Sequence, residues 1–187
     1  MKKNYFKTVF IAFLALITLP AIGQHKESKW DFRIGAGYSI LGSGDYHTFN
    51  YENELNYRMN PYFTASASFD MGKSITGISG TASFKQGNLN IFLSPFKNTK
   101  KNDFRVGTGL TFYTITDAYE IASYYENGVL VCTDYSFDSR NSYGYNIIFE
   151  NSYWLTEKMM LGVKLYTQYY FNDDINTGIL LKLGFKW

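Results

Sequence analysis

Arg33, Glu52, Glu54, Arg58, Arg105, Glu150, Lys164 and Lys182 stand at alternate positions in segments whose other positions are apolar or aromatic. Asp31, Asp70 and Lys186 share that phase in their own segments. Charges gathered on one face of such segments have two chemical uses. They line a gate or narrow ion path, or they pair with one another as an interior plug, because an unpaired buried charge costs several kcal/mol. The pattern favours the plug. Catalysis has poorer material. Acid–base or nucleophilic chemistry calls for a histidine set against a hydroxyl or carboxylate. The candidates are His25, in the N-terminal region, and His47, which has Ser43 and Asp45 near it in sequence only. No enzyme is expected from this set. No metal-ligand spacing and no phosphate-binding glycine loop occur, so no cofactor is implied. The single cysteine, Cys132, excludes an internal disulfide.

The segments that must position these charges alternate with a period of two, which is the signature of a strand with two unlike faces. The clearest is the last. Trp187, Phe185, Leu183, Leu181 and Ile179 are apolar, while Lys186, Gly184, Lys182, Leu180 and Gly178 between them are small or charged except for Leu180. The same alternation runs over Trp30–Ile40, Phe49–Met59 (Asn53 excepted), Phe63–Met71, Phe104–Phe112, Tyr143–Tyr153 and Met159–Tyr169. A fourth segment holds Leu89, Ile91 and Leu93 in phase but Phe84 out of phase, and a β-bulge near Gly87 is expected there. Gly35, Gly37, Gly107 and Gly109 fall on the polar face and are expected to relieve crowding.

Eight such segments of about ten residues match the 9–11 residues with which a tilted strand crosses a bilayer. An even number returns the chain to its starting side. Turns are expected at Asn60-Pro61, Pro95 and Thr156 on one side, with loops at Gly42, Gly72–Gly80, Thr114–Arg140 and Asp173 on the other. The Thr114–Arg140 stretch reads as the longest irregular loop, although its Ile121, Val129, Leu130 and Val131 also suit prolonged strands. Its Tyr119, Tyr124, Tyr125 and Tyr135 are candidate contact residues, because aromatic side chains supply area at interfaces.

Residues 1–23 read as an export signal: Lys2, Lys3 and Lys7, an apolar run from Val9 to Leu19, then Pro20 and Ala21-Ile22-Gly23 before the cleavage point. Residues 24–187 are then a single domain. Removing a leader with three lysines and no acid leaves 15 basic residues against 16 acidic ones, a net charge of −1. That balance gives no reason to expect nucleic acid. Aromatics at 19% with a mean hydropathy of −0.22 exclude a bundle of apolar membrane helices. They suit a chain whose strands are each half apolar.

The last segment resembles the C-terminal signal by which outer-membrane β-barrels are recognised for insertion, with Leu183, Phe185 and Trp187 at its apolar positions. From Trp30 to Trp187 the segment pattern resembles the small outer-membrane barrels, such as the membrane domain of outer membrane protein A and its X-type relatives. The resemblance implies an all-β, eight-stranded antiparallel transmembrane barrel of up-and-down order, with both termini periplasmic. It implies outer-membrane lipid and the barrel-assembly machinery as partners; the aromatics of loop 114–140 make that loop the expected place for an extracellular ligand. A structural or surface-interaction role is expected. A narrow porin, or more remotely an outer-membrane lipid-modifying enzyme, is the alternative.

Overall fold

A computed structural model describes residues 28–42, 46–75, 80–126 and 129–186. Its eight strands are β1 (Trp30–Gly42), β2 (Tyr46–Arg58), β3 (Phe63–Ser74), β4 (Gly80–Leu93), β5 (Asn102–Glu126), β6 (Val129–Trp154), β7 (Met159–Tyr170) and β8 (Ile175–Lys186). Each pairs antiparallel with the next, and β8 pairs with β1 from Asp31↔Lys186 to Gly42↔Ile175, so the sheet closes into a barrel in meander order. Closure leaves the barrel no unpaired edge. Trp30 and Lys186 mark the proximal end, where the chain enters and leaves the barrel; the distal end is opposite.

The alternation decides which face each side chain takes. Leu89, Leu110 and Leu181 point outward and are 60%, 59% and 65% exposed, and they belong to a continuous apolar belt. The charged positions point inward and are buried. The apparent irregularity of the fourth segment has another cause than a bulge. β4 pairs with β3 and β5 without a register shift through Gly87. Phe84 keeps the inward phase of Gln86, Asn88 and Asn90, and it is an apolar residue on the inner face. Its ring lies over Gly72, opposite it on β3, where a Cβ would collide with the ring. Gly72 is therefore strand, and the connection expected from Gly72 to Gly80 shrinks to the residues between Ser74 and Gly80.

The largest departure is Thr114–Arg140. This stretch is an extended hairpin, not a loop: β5 and β6 run 25 and 26 residues, against 12 to 14 for the other six strands. β4 accompanies β5 as far as Tyr119, and β7 accompanies β6 only from Trp154 to Gly144. Beyond Tyr119↔Ser136 the hairpin is a two-stranded ribbon. Register shifts at Glu120/Ala122 and at Tyr124/Tyr125 interrupt its ladder. The expected asymmetry of long and short loops is thus an asymmetry of strand length.

The proximal turns brace one another. Asn60 Oδ1 accepts from the amides of Tyr62 and Phe63, and the Ser94 and Asn98 amides donate to the carbonyls of Tyr62 and Pro61 at 2.8 Å each. At the distal end, Asp173 takes a left-handed φ of 67° in the β7–β8 turn, a conformation aspartate tolerates.

Candidate functional site: the barrel interior and its rim

Three layers, with a second buried apolar cluster of Phe92, Ile148, Tyr166 and Leu180, fill the barrel. The proximal layer is ionic. Arg33 Nε lies 2.6 Å from Asp31, and its Nη1 pairs with Glu150. Arg105 Nη2 bridges Glu54 at 2.6 Å and Glu150 at 2.9 Å. Lys182 Nζ reaches Glu52 at 2.6 Å, Glu54 at 2.7 Å and Glu150 at 3.3 Å. Lys164 pairs with Glu52 and lies 3.6 Å from Glu54. Arg58 joins at the mouth, 3.8 Å from Asp31. The result is one alternating chain of charge: Arg58, Asp31, Arg33, Glu150, Arg105, Glu54, Lys182, Glu52, Lys164. No side chain in it is more than 10% exposed.

Nine of the eleven charges expected inside lie in this chain, where Asp31 links Arg58 to Arg33. Neutral groups complete it. Asn56 donates to Asp31 at 3.0 Å and Glu54 at 2.8 Å, and its carbonyl accepts from Arg105 at 2.9 Å. The Arg105 guanidinium also stacks 3.8 Å from the Phe92 ring centroid. That ring occupies the space above Gly107, where a Cβ would stand 2.5 Å from it. Gly107 is needed for close approach. Gly35 is not, since a Cβ there would meet its nearest neighbours at 3.5 Å, an ordinary contact. Lys186 stays at the mouth, 3.6 Å over the Trp154 ring.

Asp70 shares the inward phase but not the ion chain. It stands across from Glu52 and accepts hydrogen bonds from Gln86 and, at 2.8 Å, from Asn88. It opens the second layer, built of amides and hydroxyls. Gln168 donates to Asn88 at 3.2 Å, Tyr170 to Gln86 at 2.8 Å, and Asn176 to Gln168 at 3.0 Å. Asn50 donates to Tyr166 at 2.6 Å and to Ser39 at 2.7 Å. Alternation placed these residues inside but carried no sign that they would segregate from the ions. The third layer is an apolar cap at the distal end: Leu41, Ala82, Phe84, Tyr113, Ile115 and Tyr170, with the two tyrosine rings 3.9 Å apart.

Above the cap lies a rim cluster absent from the sequence reading as a cluster. Arg140 on β6 pairs with Asp117 on β5 and lies 3.0 Å from Asp174 in the β7–β8 turn. Tyr113 donates to Asp174, and Asn172 donates to it at 2.8 Å. Partial burial pushes the Asp174 carboxyl up, but hydrogen bonds from Arg140 and Tyr113 outweigh it and hold the group below the ordinary aspartate range. This cluster ties the base of the long hairpin to the opposite turn.

The remaining expected residues separate. On the hairpin, Tyr124 and Tyr135 are exposed, as are Ile121 and Phe137, whose 73% exposure is the largest among the aromatic side chains described. The side chains of Tyr119, Tyr125 and Cys132 lie outside the description, although all three residues pair within the hairpin. Leu183 and Phe185 sit on the outward side of β8, half-buried and exposed respectively. Trp187, the leader residues 1–23, His25, Ser43 and Asp45 lie outside the described residues. His47 faces outward and its Nδ1 meets the Tyr38 hydroxyl.

No protein-family model matches the chain, and no curated protein sequence matches it. Solved structures do. Neisserial surface protein A superposes with a TM-score of 0.66 at 16% identity, over 86% of this chain and 98% of that one. Ail, the attachment invasion locus protein of Yersinia pestis, in complex with the heparin analogue sucrose octasulfate, gives 0.59 at 11% identity over 87% and 100%. The N-terminal β-barrel domain of Pseudomonas aeruginosa OprF gives 0.56 at 15% identity over 84% and 97%. The fold is that of the small eight-stranded outer-membrane β-barrels.

Proposed function

We propose that the chain is an integral outer-membrane protein that presents the β5–β6 hairpin at the cell surface and does not conduct. The observation that carries this reading is the pairing of a sealed interior with one overbuilt hairpin. The ion chain and the apolar cap occupy the narrow lumen of an eight-stranded barrel, where side chains suffice to fill the space. The outward apolar belt is costly in water and suited to lipid. On this reading the export signal directs the chain through the inner membrane, both termini are periplasmic, and the assembly machinery reads Leu183, Phe185 and Trp187.

Specificity then belongs to the hairpin, since the wall is constrained by lipid outside and packing inside. Exposed Tyr124, Tyr135 and Phe137 offer contact area, set among Asp134 and Asp138. Ail binds a sulfated heparin analogue. The acidic hairpin here suits a neutral or basic partner instead, because like charges across an interface oppose association. The role is surface attachment rather than catalysis.

The test is excision of Ala118–Asp134 with a short turn joining the strands. The expected product is a folded, heat-modifiable barrel on cells that no longer attach to the surfaces the parent binds. Attachment that survives excision removes the binding role. In planar bilayers the parent is expected to show no steady openings; a large, stable conductance would establish a narrow porin in its place.

A further inference from the structure

Below the rim, the outward wall carries two charged side chains among the described residues, Lys73 on β3 and Lys85 on β4. They are neighbours. Lys73 stands opposite Ser83, and Lys85 opposite Met71, so the two are diagonal partners with Cα atoms about 7–8 Å apart. Neither forms an ion pair with a described residue. Proximal lysines behave differently: Lys97 and Lys101 lie in a turn, over the rings of Tyr62 and Tyr153 at 5.9 and 5.1 Å. Two adjacent ammonium groups on an otherwise uncharged wall repel one another unless an anion lies between them.

The two lysines border a groove of about 470 Å³ on the outward wall. Phe49, Tyr51 and Met71 line its apolar part, and Ser83 and Thr116 lie on its polar side. That volume falls within the range of sites for small ligands. An apolar floor leading to paired cations and hydroxyls matches an amphiphile with an anionic head. A phosphate monoester supplies the strongest complement, with up to two negative charges and three acceptor oxygens for two ammonium groups. We propose that this groove binds a phosphate-bearing anionic lipid, with acyl chain along Phe49, Tyr51 and Met71 and the phosphate between Lys73 and Lys85. The lysine stems run over apolar surface and bring the charges to the level of the lipid headgroups. This inference rests on the reading of the barrel as a membrane protein.

The test reconstitutes the full chain in phosphatidylcholine nanodiscs containing a small fraction of phosphatidic acid or of lipid A. Lipid retained through detergent exchange is then counted by native mass spectrometry. The parent is expected to retain a single phosphate-monoester lipid. K73Q/K85Q is expected to retain roughly tenfold less at equal lipid, with each single variant between the two, and K97Q/K101Q to behave as the parent. Heat-modifiability checks that each variant is folded. Equal retention by folded K73Q/K85Q overturns the site. So does equal retention of phosphatidylcholine, which would reduce the lysines to ordinary headgroup anchors. Displacement of the lipid by inorganic phosphate overturns it too, leaving an anion site without lipid specificity. Failure of the parent to enter nanodiscs of any composition sinks the membrane reading and the lipid site with it, an outcome distinct from the other three.

Discussion

Glu54 and Asp70 are carboxylates sealed inside the same barrel, yet they live in different chemistry. Glu54 in the proximal layer touches Arg105 at 2.6 Å and Lys182 at 2.7 Å, with Lys164 at 3.6 Å. Asp70, at the start of the middle layer, touches the side-chain amides of Gln86 and Asn88. Burial alone therefore says little about what a carboxylate contributes. The partners decide: one group balances three cations, and the other is held by neutral amides.

This difference can be broken most sharply at Glu54. Glu54→Gln keeps the shape but leaves Arg105, Lys182 and Lys164 short of counter-charge, and breaking a buried pair on one side costs about 3–5 kcal/mol. Urea unfolding of the barrel in phospholipid vesicles is expected to show a loss of that order. Arg105→Ala falls in the same range, and it also removes the group stacked on Phe92. A double variant that replaces Arg105 and Glu54 by Met and Leu is expected to recover part of either single loss, because no charge is left unpaired between the two positions. A double variant as unstable as the sum of the singles would show that Arg105 and Glu54 are not energetically coupled.

Asp70→Asn is the matched substitution in the middle layer. Its carbonyl can still accept from Gln86 and Asn88, and the new amide replaces Oδ1, a buried oxygen with no hydrogen-bond partner. The change also removes a like charge across from Glu52. The expected shift is within about 1 kcal/mol of the parent in either direction. A loss equal to that of Glu54→Gln would erase the distinction between the layers.

The rim sharpens the contrast from outside. Arg140 joins acids as the interior arginines do, but its side chain is 32% exposed. Water screens such pairs, and Arg140→Ala is expected to cost about 1 kcal/mol or less of barrel stability. Its larger effect is on order: the hairpin base should exchange amide hydrogens faster once Asp117 and Asp174 lose their common partner. The pH dependence follows from Asp174, whose folded value lies below the ordinary 3.8 of aspartate. A depressed carboxylate contributes its stability above the unfolded value and loses it as pH falls through the folded one. The parent's advantage over Arg140→Ala should thus hold from neutral pH down to about 4 and shrink below that. An advantage that grows on acidification would contradict the assignment.

Much of this molecule was legible before any fold was known. A period of two with one apolar face fixes inside and outside for every residue of a strand, and so Arg33, Glu52, Glu54, Arg58, Arg105, Glu150, Lys164 and Lys182 could be placed in the interior together. The number of strands and their meander order follow from the same signal. Misreadings arose where composition and phase disagree. Phe84 breaks the apolar phase because it is an aromatic that faces inward, and Thr114–Arg140 reads as irregular because its polar and acidic residues mask the alternation of strands that continue past the wall.

What the sequence alone determined was the face of each residue, since backbone pleating makes that a local property. What the tertiary structure decided was who meets whom. Glu150 reaches Arg33 from 117 residues away, and Lys182 reaches Glu54 from 128. Those meetings depend on the register of all eight ladders and on the stagger with which β8 closes on β1. Register is a collective quantity: sliding one strand by two residues keeps every side chain on its face and changes every partner. The alternation of charge, amide and cap along the barrel axis was therefore beyond local reading, because only closure stacks the eight strands into layers.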